Sequence, residues 1–318
     1  MTDPRTPASS RVLPVLLGVL LLTGIAGAWW QDPGRPVPAD EVVRADAWLR
    51  TEALLGSPSP GPEPAVRRED VRADLARQLE ALGPAPDERT RDAARERRPA
   101  PGASAGDAGS TPPAALSSTA AVLAQDAMSA QDPALARVLA AAAVSRTTAS
   151  RQPVPTGAAA PAGDALCEVP AEAPPGGAGA PAAVLWSALD RAGYAAEALA
   201  ARTAGPAGDD VPAGLPDRVR EDVEDLLELP TARHVLAAEP GLRAGAYVLP
   251  DGVREHPGRT AGTVAGDVQA AAAHVLARGD AGARCWAVLA LERATGWRAE
   301  LTGDVDALPG VVPGDPPG

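Results

Sequence analysis

The pattern of apolar and polar positions predicts α-helices along most of the chain. Residues 39–55 and 66–82 each carry one apolar stripe with helical spacing, separated by the proline- and glycine-rich residues 56–64. The stripe residues are Val42, Val43, Ala45, Trp48, Leu49 and Leu55 in the first segment, and Val71, Leu75, Leu79 and Leu82 in the second. We therefore expect residues 31–98 to form a helical and charged region. Its last part mixes Arg with acidic residues and is expected to be a flexible segment.

A helical hairpin is predicted over residues 114–150. Asp132 and Pro133 mark the start of its second helix, because Asp is a favoured N-cap and Pro a favoured first helical residue. The apolar positions are Leu116, Val122, Leu123 and Met128, then Leu135, Val138, Leu139 and Val144. Residues 99–113 and 151–181 are rich in Pro, Ala and Gly, which predicts a linker on each side of the hairpin.

The last third of the chain predicts four helical segments, over residues 182–203, 216–238, 260–278 and 281–301. Pro230 should kink or break the second segment. Gly279 is expected as the C′ residue of the third, and Asp280 as the N-cap of an antiparallel fourth. The longer connection contains the short stretch Tyr247-Val248-Leu249-Pro250 and can run the length of a bundle. Four helices with one long crossover are the ferritin-like arrangement, so the predicted fold class is all-α.

Residues 12–30 carry no charge and form an apolar run of about 28 Å as a helix, close to the thickness of a bilayer core. Arg5 and Arg11 precede the run and Asp32 follows it, which predicts a cytoplasmic N-terminus at residues 1–11. The alternative is a signal peptide cleaved after the small residues 26–28. Both interpretations export everything after residue 30. We expect a single-pass protein of the cell membrane with its C-terminal part extracytoplasmic, or a secreted protein after cleavage.

Composition and motifs exclude several classes of function. A net charge of −12 argues against nucleic-acid binding. The chain contains no Lys, so a standard P-loop is absent, and no Gly-x-Ser-x-Gly elbow occurs. None of the three His residues has Glu three positions before it, which excludes a standard di-iron site. We therefore predict no enzyme activity, and no catalytic, cofactor-binding or metal residues.

A non-standard metal site remains an alternative, with carboxylates and one His from the four helices as its ligands. Its candidate ligands are Glu197, Asp222, Asp225, Asp267, His274 and Glu292. The acidic residues 209–228 have two interpretations: a weak surface for cations or a basic partner, or helix capping and solubility.

The two cysteines, Cys167 and Cys285, are expected outside the cytoplasm, where disulfides form. A bond between them would join the second linker to the fourth helix of the bundle. In the chain-entropy model it would stabilise the fold by about 4–5 kcal/mol. The alternative is two unrelated thiols.

Several short motifs carry a resemblance to a known family. They are Tyr194, Ala201-Arg202, Ala246 to Pro250, Ala287 to Leu291, Trp297-Arg298 and Leu308-Pro309-Gly310. On these motifs, residues 182–312 resemble an actinobacterial ferritin-like four-helix-bundle family of unknown function. The resemblance implies an acidic residue and a His near the middle of the first helix. This chain has Ala188-Leu189-Asp190-Arg191 there, with no His, so a metal role does not carry over.

These observations together predict an exported, membrane-tethered helical-bundle protein that serves as a binding or structural module of the cell envelope. The alternative is a ferritin-like metalloprotein with a non-standard site. The expected partners are the membrane, through residues 12–30, and an unknown envelope protein or a small apolar ligand held between helices.

Overall fold

A computed structural model of the protein describes residues 36–57, 65–98, 112–151, 179–203, 210–242 and 255–311, with residues 244, 246–249 and 253 between the last two ranges. Within these ranges the regular structure is helical and contains no strand, which confirms the all-α prediction for this part of the chain. The helices that the structure describes belong to one compact unit, Ala39–Gly318, while only residues 36–38 of the other unit, Met1–Pro38, are described. The predicted membrane segment 12–30 and Cys167 lie outside the described residues.

The helices fall into three groups along the chain. The N-terminal group is α1 (Ala39–Leu55), α2 (Ala65–Ala81) and α3 (Glu88–Arg97), and the hairpin is α4 (Pro112–Ser129) and α5 (Pro133–Arg151). The C-terminal group is α6 (Ala180–Thr203), α7 (Leu215–Glu228), α8 (Pro230–Ala238), a 3₁₀ turn (Pro240–Leu242), α9 (Pro257–Arg278) and α10 (Ala281–Thr302). In the part of the chain that the structure describes, no helix is long and apolar enough to span a bilayer.

Capping residues define several of the helix ends. The Asp132 carboxylate accepts a hydrogen bond of 2.8 Å from the Ala134 amide, and Asp280 accepts one of 2.8 Å from the Ala283 amide, which confirms both as N-caps. Gly279 ends α9 in an extended conformation, with φ −78°, and not in the left-handed conformation of a C′ glycine. Glycine is needed there for space, because a Cβ atom would lie 2.8 Å from the Val275 carbonyl oxygen.

The predicted break at Pro230 is present. Helix α7 ends at Glu228, Leu229 has φ −59° and ψ 146°, and Pro230 opens α8 at its first helical position. The ring of a proline disfavours helical backbone at the preceding residue, which explains the conformation of Leu229.

Helix α3 corrects the expectation of a flexible segment after residue 82. It has no apolar stripe, but the Asp87 side chain caps it by accepting from the Thr90 amide at 2.8 Å. Two buried carboxylates hold its far end: Asp46 on α1 lies 2.5 Å from the Arg98 Nε atom, and Asp126 on α4 lies 3.1 Å from the Arg97 Nη1 atom. Ion pairs at its end, together with the buried Ala94, therefore hold this helix in place.

Helices α6, α7, α9 and α10 form a closed ring of contacts, in which α9 lies between α6 and α10, and α7 completes the ring by contacting both. The side chains between them are mostly apolar, and Trp186, Trp286 and Trp297 are at most 3% exposed. The buried exceptions include Gln269 on α9, which donates a hydrogen bond of 3.1 Å to Thr295 on α10. These four helices thus surround part of the apolar core.

The hairpin packs directly against this ring. Helix α4 lies along α5, and α5 contacts α9 and α10. Close approach is possible because α5 presents a run of buried alanines, Ala140 to Ala143, each at most 1% exposed. The same apolar cluster includes side chains from α1, the hairpin and the four-helix ring. The hairpin and the bundle therefore share one hydrophobic core.

Candidate functional site

The residues that the sequence offered as metal ligands lie apart from one another. Glu197 and Asp225 are exposed, Asp267 lies 3.9 Å from Arg191, and the His274 Nδ1 atom lies 2.7 Å from Arg278. Across the described ranges, no group of three or more His, Cys, Asp or Glu side chains is close enough to share an ion. The arrangement offers no common centre for a metal.

The two remaining carboxylates of that set are held in contacts between helices. Glu292 on α10 is buried and forms an ion pair with Arg151, which joins α10 to the end of α5. Asp222 on α7 accepts a hydrogen bond of 2.8 Å from the Trp297 indole and lies 3.4 Å from Arg293. Burial raises the pKa of Asp222 above its ordinary value, and the bond from Trp297 opposes this shift. Both side chains have a structural role.

Cys285 lies early in α10 and is 1% exposed. Its predicted partner Cys167 lies outside the described residues, so the disulfide stays a prediction.

An enclosed apolar cavity lies at one end of the four-helix ring, between Ala192, Leu215, Val264 and Trp297. Its volume is about 20 Å³. That space holds about one water molecule, and is far smaller than a typical ligand pocket. This cavity therefore gives the predicted small apolar ligand no room.

A larger, solvent-open groove lies where α6, α7 and the crossover before α9 meet. We call it the tyrosine groove, and its polar lining consists of Asp190, Tyr194, Glu197, Arg220, Glu224 and Tyr247. Its volume is about 240 Å³. The two helices approach closely beneath it, because Gly193 on α6 leaves space for Val223 on α7. A Cβ atom at position 193 would lie 3.3 Å from the Val223 Cγ1 atom.

The groove brings together the two tyrosines of the chain. The ring centroids of Tyr194 and Tyr247 are 5.8 Å apart, with 59° between the ring planes. The Tyr247 hydroxyl donates a hydrogen bond of 2.6 Å to the Asp190 Oδ2 atom, which fixes the crossover to α6. Burial, together with the Asp190 carboxylate, raises the pKa of Tyr247 to about 12, so the phenol stays protonated at neutral pH.

The charges around the groove are mostly negative. Among the described lining residues, the carboxylates of Asp190, Glu197 and Glu224 stand against the single guanidinium of Arg220. Arg220 lies 3.7 Å from Glu224 and 3.7 Å from Asp217, so its charge is shared between two exposed carboxylates. The groove therefore carries a negative rim around two aromatic rings.

The sequence did not predict this groove. A signal was present, because Asp190, Tyr194 and Glu197 follow each other at spacings of four and three residues and so share one face of α6. The contribution of Tyr247 had no local signal, since 57 residues separate it from Asp190.

Comparisons with known proteins give no match: no family model fits the chain, and none of the curated proteins or solved structures is similar to it.

Proposed function

We propose that this protein is a membrane-tethered binding module of the cell envelope, and that the tyrosine groove is its binding site. The tether is the apolar run at residues 12–30, which would leave the helical unit outside the cytoplasm. We further propose that the ring of α6, α7, α9 and α10 is a ferritin-like bundle. The observation that carries the binding role is that both tyrosines meet in one open groove with three carboxylates.

The aromatic residues of the C-terminal group divide into two sets, and this division supports a binding role. Trp186, Trp286 and Trp297 are buried in the core, where they contribute to stability. Tyr194 and Tyr247 are only partly buried, and both line the groove. Aromatic rings left partly exposed in a concave site are typical of ligand recognition.

The chemistry of the groove favours binding over catalysis. The Tyr247 phenol is a fixed hydrogen-bond donor to Asp190, and its raised pKa makes it a weaker acid that stays protonated at neutral pH. The described lining contains neither His nor Cys to serve as a base or nucleophile. The metalloprotein alternative has no supporting observation, because its candidate ligands lie apart.

Native mass spectrometry tests this proposal on the full chain, released from membranes in mild detergent. We expect a bound molecule on the wild-type protein that is lost from Tyr194→Ala. The matched control is Val184→Ala, an exposed position on the same helix outside the groove, which should keep the ligand. A chain with no bound molecule, or one that keeps it in Tyr194→Ala, would contradict the binding role of the groove.

A further inference from the structure

We infer that the ligand of the tyrosine groove is a small organic cation, an ammonium ion whose carbon framework packs against the two tyrosine rings. This inference rests on the binding role proposed above and adds the chemical class of the ligand. It draws on three features of the groove: its size, the geometry of its rings, and the sign and availability of its charges.

The size of the groove sets the size of the ligand. Its volume of about 240 Å³ lies below the roughly 300–1,000 Å³ of sites for drug-sized molecules. A folded polypeptide segment would not enter it. An ammonium group with four to six carbon atoms is of the right scale.

The two rings provide walls that suit a cation. With centroids 5.8 Å apart and planes inclined by 59°, they form two sides of an open corner. The face of an aromatic ring carries negative potential and attracts a cation within about 6 Å. Tyr247 already makes such a contact, because the Arg191 guanidinium carbon lies 5.7 Å from its centroid. Arg191 does not line the groove, whereas both tyrosines do.

The carboxylates of the groove differ in how far they are already engaged. The Asp190 Oδ2 atom accepts the Tyr247 hydroxyl, and Glu224 shares Arg220 with Asp217. Glu197 forms neither a hydrogen bond nor an ion pair with any residue that the structure describes. Glu197 is therefore the carboxylate that we assign to the ammonium group.

Other ligand classes fit this groove less well. An anion would be repelled by the surplus of carboxylates on the rim. A neutral apolar molecule would remove water from those carboxylates and give no compensating charge, which costs free energy. A cation with an apolar framework can contact the tyrosine rings and pair with the carboxylates of the rim at the same time.

The test compares a cation with its uncharged counterpart of the same shape. Choline and 3,3-dimethyl-1-butanol differ in the charged nitrogen, and butylammonium adds a primary amine. Binding to the full chain in detergent is measured by isothermal titration calorimetry at 150 mM salt. We expect at least one of the two cations to bind at least about fivefold more tightly than the alcohol, as a cation–π and carboxylate site requires.

Variants then assign the binding to the groove. Glu197→Gln should weaken cation binding about fivefold or more, and Tyr194→Leu should weaken it through loss of the ring face. The matched control is Asp225→Asn, which removes the same charge from an exposed position on α7 outside the groove and should change the affinity less than twofold.

Three results would overturn the inference: equal affinity for the cations and the alcohol, no measurable binding of either cation, or equal weakening by Asp225→Asn and Glu197→Gln. If native mass spectrometry nevertheless finds a neutral or anionic molecule that is lost from Tyr194→Ala, the groove keeps its binding role and only the cation assignment fails.

Discussion

Asp74 on α2 shows how burial changes the pKa of one side chain. Its carboxylate lies 2.8 Å from Arg77 on the next turn, and Asp70 and Asp306 lie near it. Burial is the largest influence and raises the pKa of Asp74 to about 6, even though Arg77 acts in the opposite direction. At neutral pH this position therefore holds a charge that the folded state disfavours.

The pKa of Asp74 predicts a pH-dependent effect on stability. Because its folded pKa is above the ordinary 3.8, the group favours folding in its protonated form, and this contribution is lost as pH rises from about 4 to about 6. We expect Asp74→Asn to raise the free energy of unfolding at pH 7 by about 1 kcal/mol, after allowance for partial solvent screening, and to have almost no effect at pH 4. Urea denaturation of the full chain at both pH values measures this difference.

Asp92 provides the matched control for Asp74. It forms the same kind of ion pair, 2.8 Å from Arg95 three residues later, but both side chains are about 60% exposed. Asp92→Asn should change the free energy of unfolding by less than about 0.5 kcal/mol at either pH. Equal effects of the two substitutions would show that burial at position 74 is not the cause.

At the scale of elements, a tryptophan of α10 completes the backbone bonding at the end of α7. In a continuous helix the Leu226 carbonyl would accept from the amide of residue 230, but that residue is Pro230 and has no N–H. The Trp286 indole donates to the Leu226 carbonyl at 3.1 Å instead. The proline break and the buried tryptophan thus belong to one arrangement.

Substitution of Trp286 should therefore leave the Leu226 carbonyl without a hydrogen-bond donor. We expect Trp286→Phe to lower the free energy of unfolding by about 1–3 kcal/mol beyond the effect of lost volume, because the buried Leu226 carbonyl loses its donor. Trp297→Phe is the matched control. The Trp297 indole donates to Asp222, which keeps Arg293 nearby after the substitution. The side chain of Asp222 is 22% exposed to water. If chemical denaturation gives equal losses for both variants, this explanation of Trp286 is wrong.

A second helix end is completed in the same way. Arg284 on α10 reaches the last turn of α4 and donates to the carbonyl oxygens of Ala127, Met128 and Ala130. A guanidinium there also opposes the negative end of the helix dipole. Side chains of α10 thus complete the ends of both α4 and α7, which makes α10 the organising helix of the unit.

At the scale of the whole molecule, Arg146 joins the N-terminal helices to the rest of the unit. It lies on α5 and is 1% exposed, and its guanidinium donates to Gln78 on α2 at 3.0 Å and to Thr51 on α1 at 2.5 Å. Gln78 in turn donates to the Ala307 carbonyl after α10 at 3.1 Å. No carboxylate of the described residues bonds to Arg146, and burial lowers its pKa to about 9. Four segments of the chain meet at this polar junction inside the core.

The predicted disulfide is also a property of the whole molecule, because it would join distant parts of the chain. We expect the full chain recovered from an oxidising compartment to show no thiol reactive to iodoacetamide when denatured without reductant, and two after reduction. Cys285→Ser should then expose one thiol without reduction. Intact mass spectrometry gives these counts, and two alkylated thiols in the unreduced wild-type protein would contradict the bond.

Much of the secondary structure followed from the sequence because its causes are local. The helical stripes, the N-caps Asp132 and Asp280 and the break at Pro230 depend on residues within one or two turns. The sequence did not predict helix α3, because the contacts that hold it come from distant residues. It has no apolar stripe, and the carboxylates that hold its end, Asp46 and Asp126, come from other helices.

Tertiary packing alone decided which helical faces meet, and with them the site. The tyrosine groove exists because α7 approaches α6 at Gly193 and the crossover bonds to α6 through Tyr247 and Asp190. Arg146 is buried because three helices and the segment after α10 close around it. Neither the apolar spacing of one helix nor its caps contain that information, since the free energy of contact depends on both surfaces at once. Local chemistry was enough to predict the helices, and packing between distant residues created the groove.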